Sequence, residues 1–516
     1  MKTPTAHSPH PAWSRRGCLQ TLAAAGGLLS LGAHALPEPT DAWLEGFEAM
    51  RPRRPWLMGY EGVQADVPAM DLQLRGRWPA DLRGRLYRNG PARHSLGGVR
   101  YHHPFDGDGL IQKYQITEQG IAHSARFVRT AKFEADTAAG RPVRAVFGTP
   151  LTDIEPLRSA DSINVANTSV LPLAGELLAL WEGGSATRLD PDSLDTLGLK
   201  TWSEDYAGMP FSAHPRVEPD GSLWNFGVSS LMGMMSIYRI SASGELLKAH
   251  TFKVPKVAMV HDFAVTQRHL VFLLPPLVFD GERARQGEPF LDCHRWSPEL
   301  GMRAMVIPKD QLDQVHWFDL PAGFVFHLGN AWEQADGRFI RLDYVRSPDA
   351  DWVLQGMRDL MRGQYQRQRA DYPVATLLEL DLRSGRARQT LTSHIAEFPR
   401  VDPRLVGRRY RQVVMAVRRQ APDERPGFDA VMQLDVDSGR TSHYSYGPEV
   451  MVEEHLVVPG RQGPGRGWIV GTALDLRQQA MLLSVFQSDR LADGPVAQAT
   501  LPRVMPLGLH AQFLPS

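Results

Sequence analysis

The hydrophobic pattern of this chain is one of short strands separated by turns. From about residue 70 onward, apolar and polar positions alternate in brief runs such as GRLYRNG, GFVFHLGN and AMLLSVFQ. Turn sequences rich in Gly, Asp and Ser, such as DGDG, EPDGS and DSGR, lie between them. This combination is typical of β-strands joined by tight turns. The sequence therefore predicts an all-β fold.

Two stretches, LDLRSGRA and LDVDSGRT, repeat one strand–turn–strand form. Weak repetition of hairpins is typical of β-propellers. The roughly 440 residues that follow this pattern match seven four-stranded blades, whereas a β-sandwich would be too small to hold them. We therefore expect a seven-bladed β-propeller.

One segment, DWVLQGMRDLMRGQYQRQRADY, departs from the strand pattern. Val353, Met357, Leu360 and Met361 recur there at helical spacing, which predicts a helix over 351–372. We expect this helix to pack on the top of the propeller as part of a loop and helix cap. A lid over an apolar substrate entrance and an amphipathic membrane contact are the alternatives.

Composition narrows the choice of partners. The chain has 516 residues, with 57 basic and 57 acidic side chains that are interspersed. A nucleic-acid partner is not expected, because it would require a basic face or stripe. No linker, charge run or low-complexity stretch interrupts the chain after residue 36, so we predict a single domain over 36–516.

The N-terminus is predicted to be a targeting segment. The sequence SRR at 14–16 precedes an apolar stretch at 19–31, and AHA at 33–35 offers a cleavage site. Paired arginines favour the twin-arginine export route, with a general secretory signal or a tethered N-terminus as alternatives. We therefore predict a signal peptide over 1–35 and a periplasmic or secreted protein.

Four histidines in four different motifs are the main candidates for chemistry. They are His214 in SAHPRVEPDG, His261 in MVHDFAVT, His327 in FVFHLGNAWE and His510 in PLGLHAQF. Each lies at the edge of a β-prone stretch, and imidazole nitrogen is a good ligand for transition metals. Ligands from such distant segments can meet only where many strands approach one axis. The sequence therefore predicts a metal on the propeller axis.

Read together and in order, the motifs LYRNGP, FDGDG, LLALWEGG, HDFAVT, EFPRVD and PLGLH resemble those of the carotenoid cleavage oxygenases. These are non-haem iron dioxygenases that cleave carotenoids, apocarotenoids and stilbenes. The resemblance covers about 59–513. It implies a seven-bladed propeller with Fe(II) bound by the four histidines. It also implies that Glu182, Glu397 and Glu454 accept hydrogen bonds from the metal-bound rings, and that Thr168 borders an open iron position.

The activity implied by the resemblance is oxidative cleavage of a conjugated carbon–carbon double bond by O2, which gives two carbonyl products. The expected substrate is a carotenoid or an apocarotenoid. A hydroxylated stilbene is the alternative, because Tyr101 and Lys132 resemble the phenol-binding pair of stilbene-cleaving relatives. A non-catalytic propeller that binds an apolar ligand, and a hydrolase whose metal activates water, also remain open.

Other polar residues in these motifs receive structural roles. Asp106 and Asp108 in FDGDG flank a glycine as in a calcium loop, but the remaining ligand positions of such a loop are missing. We therefore predict a tight turn there. Asn330 and Glu333 are expected to hold the loop around His327 rather than to bind iron.

Overall fold

Strands dominate the computed structural model, which describes residues 41–516 except 145–146, 153, 156, 255–258, 335, 367–371, 423, 461–462 and 464–465. The all-β prediction is confirmed. The predicted signal peptide over 1–35 lies outside the described residues, so it stays a prediction.

The strands run from Val67 almost to the C-terminus. The first eleven are β1 (Val67–Asp71), β2 (Gln73–Gly76), β3 (Gly84–Arg93), β4 (Ser95–Leu96), β5 (Val99–Arg100), β6 (Asp108–Ile116), β7 (Ile121–Phe127), β8 (Ser169–Leu173), β9 (Glu176–Leu180), β10 (Thr187–Leu189) and β11 (Thr196–Leu199). The next eleven are β12 (Arg216–Val217), β13 (Leu223–Ser229), β14 (Met234–Ile240), β15 (Leu246–Lys253), β16 (Phe263–Val265), β17 (His269–Leu274), β18 (Leu277–Phe279), β19 (His294–Trp296), β20 (Met302–Pro308), β21 (His316–Leu320) and β22 (Leu328–Glu333). The last eleven are β23 (Phe339–Arg346), β24 (Val374–Asp381), β25 (Arg386–Arg400), β26 (Gln412–Val417), β27 (Ala430–Asp435), β28 (Thr441–Ser445), β29 (Val450–Pro459), β30 (Gly467–Asp475), β31 (Ala480–Gln487), β32 (Ala497–Leu501) and β33 (Ala511–Pro515).

These strands form six larger antiparallel sheets, beside the two small pairs β4–β5 and β18–β19. In order of pairing, the larger sheets are A (β1-β7-β6-β3-β33), B (β2-β32-β31-β30-β29), C (β11-β10-β9-β8), D (β12-β13-β14-β15), E (β16-β17-β20-β21) and F (β22 to β28). Sheet A takes in the C-terminal strand β33, and sheet B takes in the early strand β2. The two ends of the described chain are therefore held in shared sheets.

Sheet F has two halves. The first part of β25 pairs with β24 up to Ile395, and its last part pairs with β26 from Ala396 onward. A register shift between Glu397 and Arg400 bends β25 close to the point where the strand changes partner. The result is two four-stranded halves that share one long strand.

The hydrophobic core lies between the sheets rather than in one central mass. Successive buried clusters join A to C (Tyr87, Leu177), C to D (Leu178, Tyr238), D to E (Phe226, Phe272), E to the first half of F (Leu273, Leu342), the two halves of F (Trp332, Met415), the second half of F to B (Val414, Phe486) and B to A (Leu483, Leu110). Inward-facing apolar residues at alternate strand positions supply these clusters.

The repeated D-x-x-(S/T)-G sequences form hairpin turns, as the pattern predicts. Asp381 Oδ1 accepts hydrogen bonds from the N–H groups of Arg383 and Ser384 in the β24–β25 turn, and Asp435 Oδ1 accepts the equivalent bonds from Asp437 and Ser438 in the β27–β28 turn. Gly385 and Gly439 then adopt φ of 70°. This left-handed conformation has no steric cost for glycine, so the sequence fixes these turns locally.

Helices are few and short in the part of the chain that the structure covers. They are α1 (Asp41–Met50), α2 (Ala131–Ala139), α3 (Gly281–Arg285) and α4 (Met357–Met361), with a π-helical turn at Trp352–Gly356 directly before α4. No helix among the described residues has both the length and the apolar character needed to span a bilayer.

The helix predicted over 351–372 is shorter than expected. It ends at Met361, and Gly363 follows with φ of 73°, a left-handed residue that stops a helix. The residues at 367–371 lie outside the described part. Val353 and Leu360 are buried as the spacing predicts. They pack into different clusters, and Val353 lies with Phe324 and Phe326.

Candidate metal centre

The four predicted histidines meet at one point of the fold. Their ligand atoms all lie within 4.8 Å of one another. The Nε2 atoms of His214 and His261 are 2.9 Å apart, those of His261 and His327 are 3.3 Å apart, and those of His327 and His510 are 3.1 Å apart. Four nitrogen lone pairs at this spacing form a site for one metal ion.

Each histidine comes from the same structural position in a different sheet. His327 and His510 directly precede the edge strands β22 and β33, and His214 and His261 lie two residues before β12 and β16. Edge strands have one free side, so four of them can approach one another without breaking a sheet. The convergence thus follows from the arrangement of sheets.

Three of the rings are supported by the predicted glutamates. His261 Nδ1 contacts Glu182, His327 Nδ1 lies 2.5 Å from Glu397 Oε2, and His510 Nδ1 lies 2.9 Å from Glu454 Oε1. An imidazole that donates from Nδ1 to a carboxylate keeps its Nε2 lone pair free for a metal. These contacts therefore fix both the tautomer and the ring orientation that metal binding needs.

His214 differs from the other three. Its Nδ1 lies 4.0 Å from Asp262 Oδ1, too far for a hydrogen bond, and Asp262 is bound by Arg216 at 2.6 Å. The backbone N–H of His214 donates to Ser212 Oγ at 3.1 Å. His214 is thus placed by its own turn rather than by a directly bonded carboxylate.

Burial sets the charge states of the centre. It lowers the pKa of His510 to about 3, although Glu454 opposes this shift, and it lowers the pKa of His214 well below its usual value. Burial also lowers the pKa of His261, but Glu182 outweighs it and the net pKa is raised. His214 and His510 are therefore neutral at pH 7, the form in which imidazole binds metals.

Sequence reasoning missed Phe398, the residue that follows Glu397. Phe398 has φ of 56°, which is costly for a bulky side chain, and its N–H donates to Glu397 Oε2 at 2.8 Å. Its ring lies 5.3 Å from that of His327 and 5.6 Å from that of His510. The bend at the register shift thus brings both the carboxylate and the aromatic ring onto the histidines.

Sequence reasoning also missed Arg400, which binds the glutamate that supports His510. Its Nε donates to Glu454 Oε1 at 2.7 Å, and Ala511 N donates to Glu454 Oε2 at 2.7 Å. Burial would raise the pKa of the Glu454 carboxyl, but Arg400 and His510 hold it well below its usual range. The neighbouring Glu453 instead accepts from Thr472 and from Gly508 N, so Glu454 is the glutamate at the centre.

A cavity of about 980 Å³ opens beside the histidines. His261, Glu182 and Thr168 form part of its wall, and most of the remaining lining is apolar. The aromatic residues among the lining side chains are Phe105, Phe147, Trp181, Phe226, Phe279, Phe290 and Phe326. The cavity is large enough for an extended apolar ligand, and one end of it reaches the candidate metal centre.

Thr168 lies on the cavity wall. Its Oγ1 donates to Asn167 Oδ1 at 3.0 Å, and its N–H donates to Leu180 O at 3.0 Å. Asn167 orients the hydroxyl of Thr168, and the methyl group is the other substituent on its Cβ. The role of Thr168 at an open metal position stays a prediction.

Tyr101 and Lys132 lie together, but outside the described cavity lining. Lys132 Nζ donates to Tyr101 OH at 2.9 Å, to Asp108 Oδ1 at 3.0 Å and to Asp136 Oδ2 at 2.9 Å. Burial lowers the pKa of Lys132, but these neighbours outweigh it and hold it above the usual value. The lysine is thus a charged, fully buried member of an ion cluster. Its predicted contact with substrate stays untested.

The remaining polar residues have structural contacts. Asp106 accepts from Phe147 N at 2.6 Å and from Thr149 Oγ1 at 2.6 Å, so the FDGDG turn holds one cavity wall. Asn330 donates to the backbone of Leu405 at 2.8 Å. Glu333 binds His269 Nδ1 at 2.9 Å, away from the four histidines.

The structure thus combines four histidines that could hold a metal ion with an apolar cavity, in an all-β fold. Residues 60–515 match the family model described as retinal pigment epithelial membrane protein. The chain is 30% identical over 489 residues to the apocarotenoid-15,15'-oxygenase of Synechocystis sp., an alignment that covers 89% of this chain and 96% of that relative. The chain therefore belongs to the carotenoid cleavage oxygenase family, as the motifs predict.

Other relatives differ in their named substrates. The isoeugenol monooxygenase of Pseudomonas putida is 29% identical, with 87% of this chain and 95% of the relative covered. The lignostilbene-alpha,beta-dioxygenase isozyme III of Sphingomonas paucimobilis is 28% identical, with 87% and 94% covered. Family membership alone thus leaves the substrate open.

Solved structures agree with the sequence comparison. The cobalt-substituted apocarotenoid oxygenase of Synechocystis superposes with a TM-score of 0.81 at 27% identity, covering 90% of this chain and 98% of that one. That oxygenase has a propeller-type fold, which this chain shares.

Proposed function

We propose that this protein is an iron(II) dioxygenase that cleaves a conjugated double bond of an apocarotenoid. The observation that carries the proposal is the convergence of four histidine Nε2 atoms at the end of an apolar cavity of about 980 Å³. Family membership supports the reaction class, since relatives are named for cleaving apocarotenoids, carotenoids and lignostilbenes.

The donor set fits a ferrous ion. Four imidazole nitrogen ligands suit a first-row divalent metal, and three of the rings have their Nδ1 atoms held by glutamates. His214, His261, His327 and His510 would hold the iron. When bound, Fe(II) would supply the electron density that allows O2 to react with an alkene.

The chain's own residues would orient the substrate and keep water away. Phe105, Phe147 and Phe326 lie in one aromatic cluster on the cavity wall, a surface suited to a flat conjugated chain. The charged side chains of the described lining each have a partner: Glu182 contacts His261, Arg283 binds Glu288, and Asp292 binds Arg358. An apolar ligand would therefore leave no unpaired charge behind.

The reaction balances without an added reductant. The carbon–carbon double bond and the O–O bond break, and each alkene carbon receives one oxygen atom from O2. The products are two carbonyl compounds, and the alkene supplies the electrons. No proton is gained or lost overall, so the site requires no general acid or base.

A phenolic substrate is the second candidate, favoured by the 2.9 Å contact between Lys132 and Tyr101 and by the isoeugenol and lignostilbene relatives. The described cavity lining contains neither Tyr nor Lys, and Lys132 is already bound to two carboxylates. A phenol would have to reach this buried cluster. We therefore favour the apocarotenoid.

We also propose that the sheets form seven blades around the metal. Sheets A to E and the two halves of sheet F make seven units, and buried clusters join each unit to the next and the last to the first. In the same way we propose that residues 1–35 direct twin-arginine export. Export should stop when Arg15 and Arg16 are both replaced by Lys, as measured by fractionation of the producing cells.

The experiment for the main proposal is a cleavage assay under 18O2 with protein loaded anaerobically with ferrous iron. We expect one iron per chain, and apocarotenals cut to two carbonyl products with one 18O atom in each. A panel of hydroxylated stilbenes and isoeugenol serves as the comparison. Y101F, which keeps the charge of Lys132, tests the second candidate.

Three outcomes decide the matter. Apocarotenal cleavage that is indifferent to Y101F supports the first candidate. Cleavage restricted to phenolic alkenes and lost in Y101F supports the second. Activity that persists with zinc alone, with no 18O from O2 in the products, would reject an oxygenase.

A further inference from the structure

Asn89, in the LYRNGP motif, joins two parts of the candidate metal centre. It lies in β3 with no exposed surface. Its backbone N–H donates to His510 O at 2.9 Å, and its backbone carbonyl accepts from Leu509 N at 2.8 Å. These two bonds flank His510 and hold its segment against β3.

The side chain of Asn89 reaches a different segment. Its Nδ2 donates to Ala166 O at 2.9 Å and to Ser169 O at 2.9 Å. These two carbonyls bracket Asn167 and Thr168, so one amide group spans the turn that carries Thr168. The backbone of Asn89 thus holds the His510 segment, and its side chain holds the Thr168 turn.

The Thr168 turn depends on such external support. Ala166 has φ of 44°, a left-handed conformation that non-glycine residues rarely adopt. It is held there because its N–H donates to Asn164 Oδ1 at 2.9 Å and because Gly109 gives its carbonyl room: a Cβ on Gly109 would lie 2.1 Å from Ala166 O. A strained turn persists only where its surroundings determine it.

We propose that Asn89 is a positioning residue that fixes the Thr168 wall relative to His510 and so sets the space open to O2 at the metal. The inference rests on the proposed function, because it concerns the same centre. Thr168, Leu509 and His261 all line one cavity. A displacement of the turn would therefore change the space beside the histidines without removing a ligand.

The test variant is Asn89→Asp, which keeps the size and the backbone bonds but turns a second oxygen toward two carbonyls. The matched control is Asn330→Asp. Asn330 is also buried, and its Nδ2 likewise donates to two carbonyls of a turn, at Leu405 (2.8 Å) and Arg408 (3.2 Å). Both variants lose the same kind of contact, but only one of them adjoins Thr168.

The first readout needs no activity. In metal-free protein, hydrogen exchange should become faster at 164–170 in Asn89→Asp and stay unchanged at 509–513, because the backbone bonds to His510 remain. In cobalt-loaded protein, the metal content should stay at the wild-type value while the visible absorption bands, which report metal geometry, should shift. Asn330→Asp should leave exchange at 164–170 unchanged, because its side chain bonds the turn at 405–408.

The second readout is kinetic. We expect kcat/KM for O2 to fall by roughly 10-fold in Asn89→Asp, because small displacements at a reacting centre have large rate effects. The KM for the alkene should change little. Ala166→Gly provides a second variant that folds easily, since glycine accepts φ of 44°. It should loosen the same turn and shift the cobalt bands in the same direction.

Three outcomes would overturn the proposal. One is a cobalt spectrum and an O2 dependence in Asn89→Asp that match those of the wild-type protein. Another is loss of metal together with faster exchange at 509–513, which would assign Asn89 a general structural role. The third is an Ala166→Gly variant with a loosened turn but an unchanged spectrum. Failure of wild-type protein to cleave any alkene would reject the proposed function and leave the exchange and cobalt results interpretable.

Discussion

The two sides of the histidine centre make the same contact in different surroundings. Glu182 supports His261 on the cavity side, where its side chain is 37% exposed. Glu454 supports His510 outside the described cavity lining, where its side chain is 1% exposed and also binds Arg400 and Ala511 N. The buried Glu454 marks the sealed side of the centre and is held by several contacts, whereas Glu182 on the cavity side is held by its contact with His261. The carboxylate on the cavity side is thus held less tightly than the buried one.

A fourth carboxylate–imidazole pair lies away from the four histidines. Glu333 Oε1 lies 2.9 Å from His269 Nδ1, the same distance as in the Glu454–His510 pair. Glu333 also accepts from Arg268 Nε at 2.6 Å. The pair lies outside the group of four histidines, so its substitution separates structural effects from metal effects.

The largest expected effect is that of Glu454→Gln. The substitution removes the negative charge that accepts hydrogen bonds from Arg400, Ala511 N and the buried His510 ring. We therefore expect a loss of about 3 kcal/mol of unfolding free energy. Metal affinity should fall by roughly 10-fold to 100-fold. Urea unfolding of metal-free protein and competition with a metal chelator measure the two effects. The exposed Glu449→Gln is the control and should change neither the unfolding free energy nor the metal affinity. A Glu454→Gln variant that is stable and fully metallated would show that this carboxylate does not hold the sealed side.

Glu333→Gln should lower stability at neutral pH and leave metal binding unchanged. Burial opposes ionisation of Glu333, but its bonds from His269, Thr266 and Arg268 lower its pKa to about 2. A carboxyl with a lowered folded-state pKa stabilises the protein above its unfolded pKa of about 4.3, and that contribution is lost as pH falls toward 2. It amounts to at most about 3 kcal/mol. Stability measured between pH 6 and pH 2 should therefore fall less steeply in the variant, with metal content unchanged at pH 7; an identical pH profile would contradict this.

Glu182→Gln should separate metal binding from stability. The side chain is partly exposed to the cavity and contacts His261, so the unfolding free energy should change by less than about 1 kcal/mol. Metal affinity should still fall by roughly 10-fold, because the ring loses its orienting carboxylate. Chelator competition and thermal unfolding measured on the same sample give both numbers. A stability loss as large as that of Glu454→Gln would remove the contrast between the two sides.

Thr168→Ser should have the smallest effect. Serine keeps the hydroxyl that donates to Asn167 Oδ1 and removes the methyl group from the cavity wall. We expect less than about 1.5 kcal/mol of destabilisation for one lost methyl and a change of a few fold in the KM for O2. Steady-state rates at several O2 concentrations measure it, with Ser169→Ala, a buried neighbour that bonds Ala213 O, as the control. An unchanged KM would mean that the methyl does not border the O2 position.

Several features of the site could be predicted from sequence because their cause is local. The hairpin turns at Asp381 and Asp435 need only an Asp side chain and a following glycine. The histidines could be found because each lies in a motif beside a strand, and the glutamates because the same motifs recur in a known family. The helix at 351–372 was predicted too long, since the apolar spacing could not show that Gly363 would end it.

Other features depend on contacts between remote segments. Phe398 adopts its strained conformation because β25 changes partner between sheet halves, and no pattern near EFPRVD indicates such a bend beyond the proline that follows. Lys132 and Tyr101 are joined to Asp108 and Asp136 rather than placed on the described cavity wall, a choice made by the packing of α2 against β6. The difference between Glu182 and Glu454 is likewise invisible in a sequence that shows two similar glutamates.

The sequence by itself determined the all-β architecture, the hairpin turns, the family and the identity of the four histidines. These depend on residue type, on alternation along a strand and on short motifs, which act over a few residues. Only the tertiary structure decided which carboxylate faces the cavity, which one is sealed, and how Asn89 links His510 to the Thr168 turn. Those outcomes depend on which edge strands meet, and that is set by the packing of whole sheets far apart in the chain.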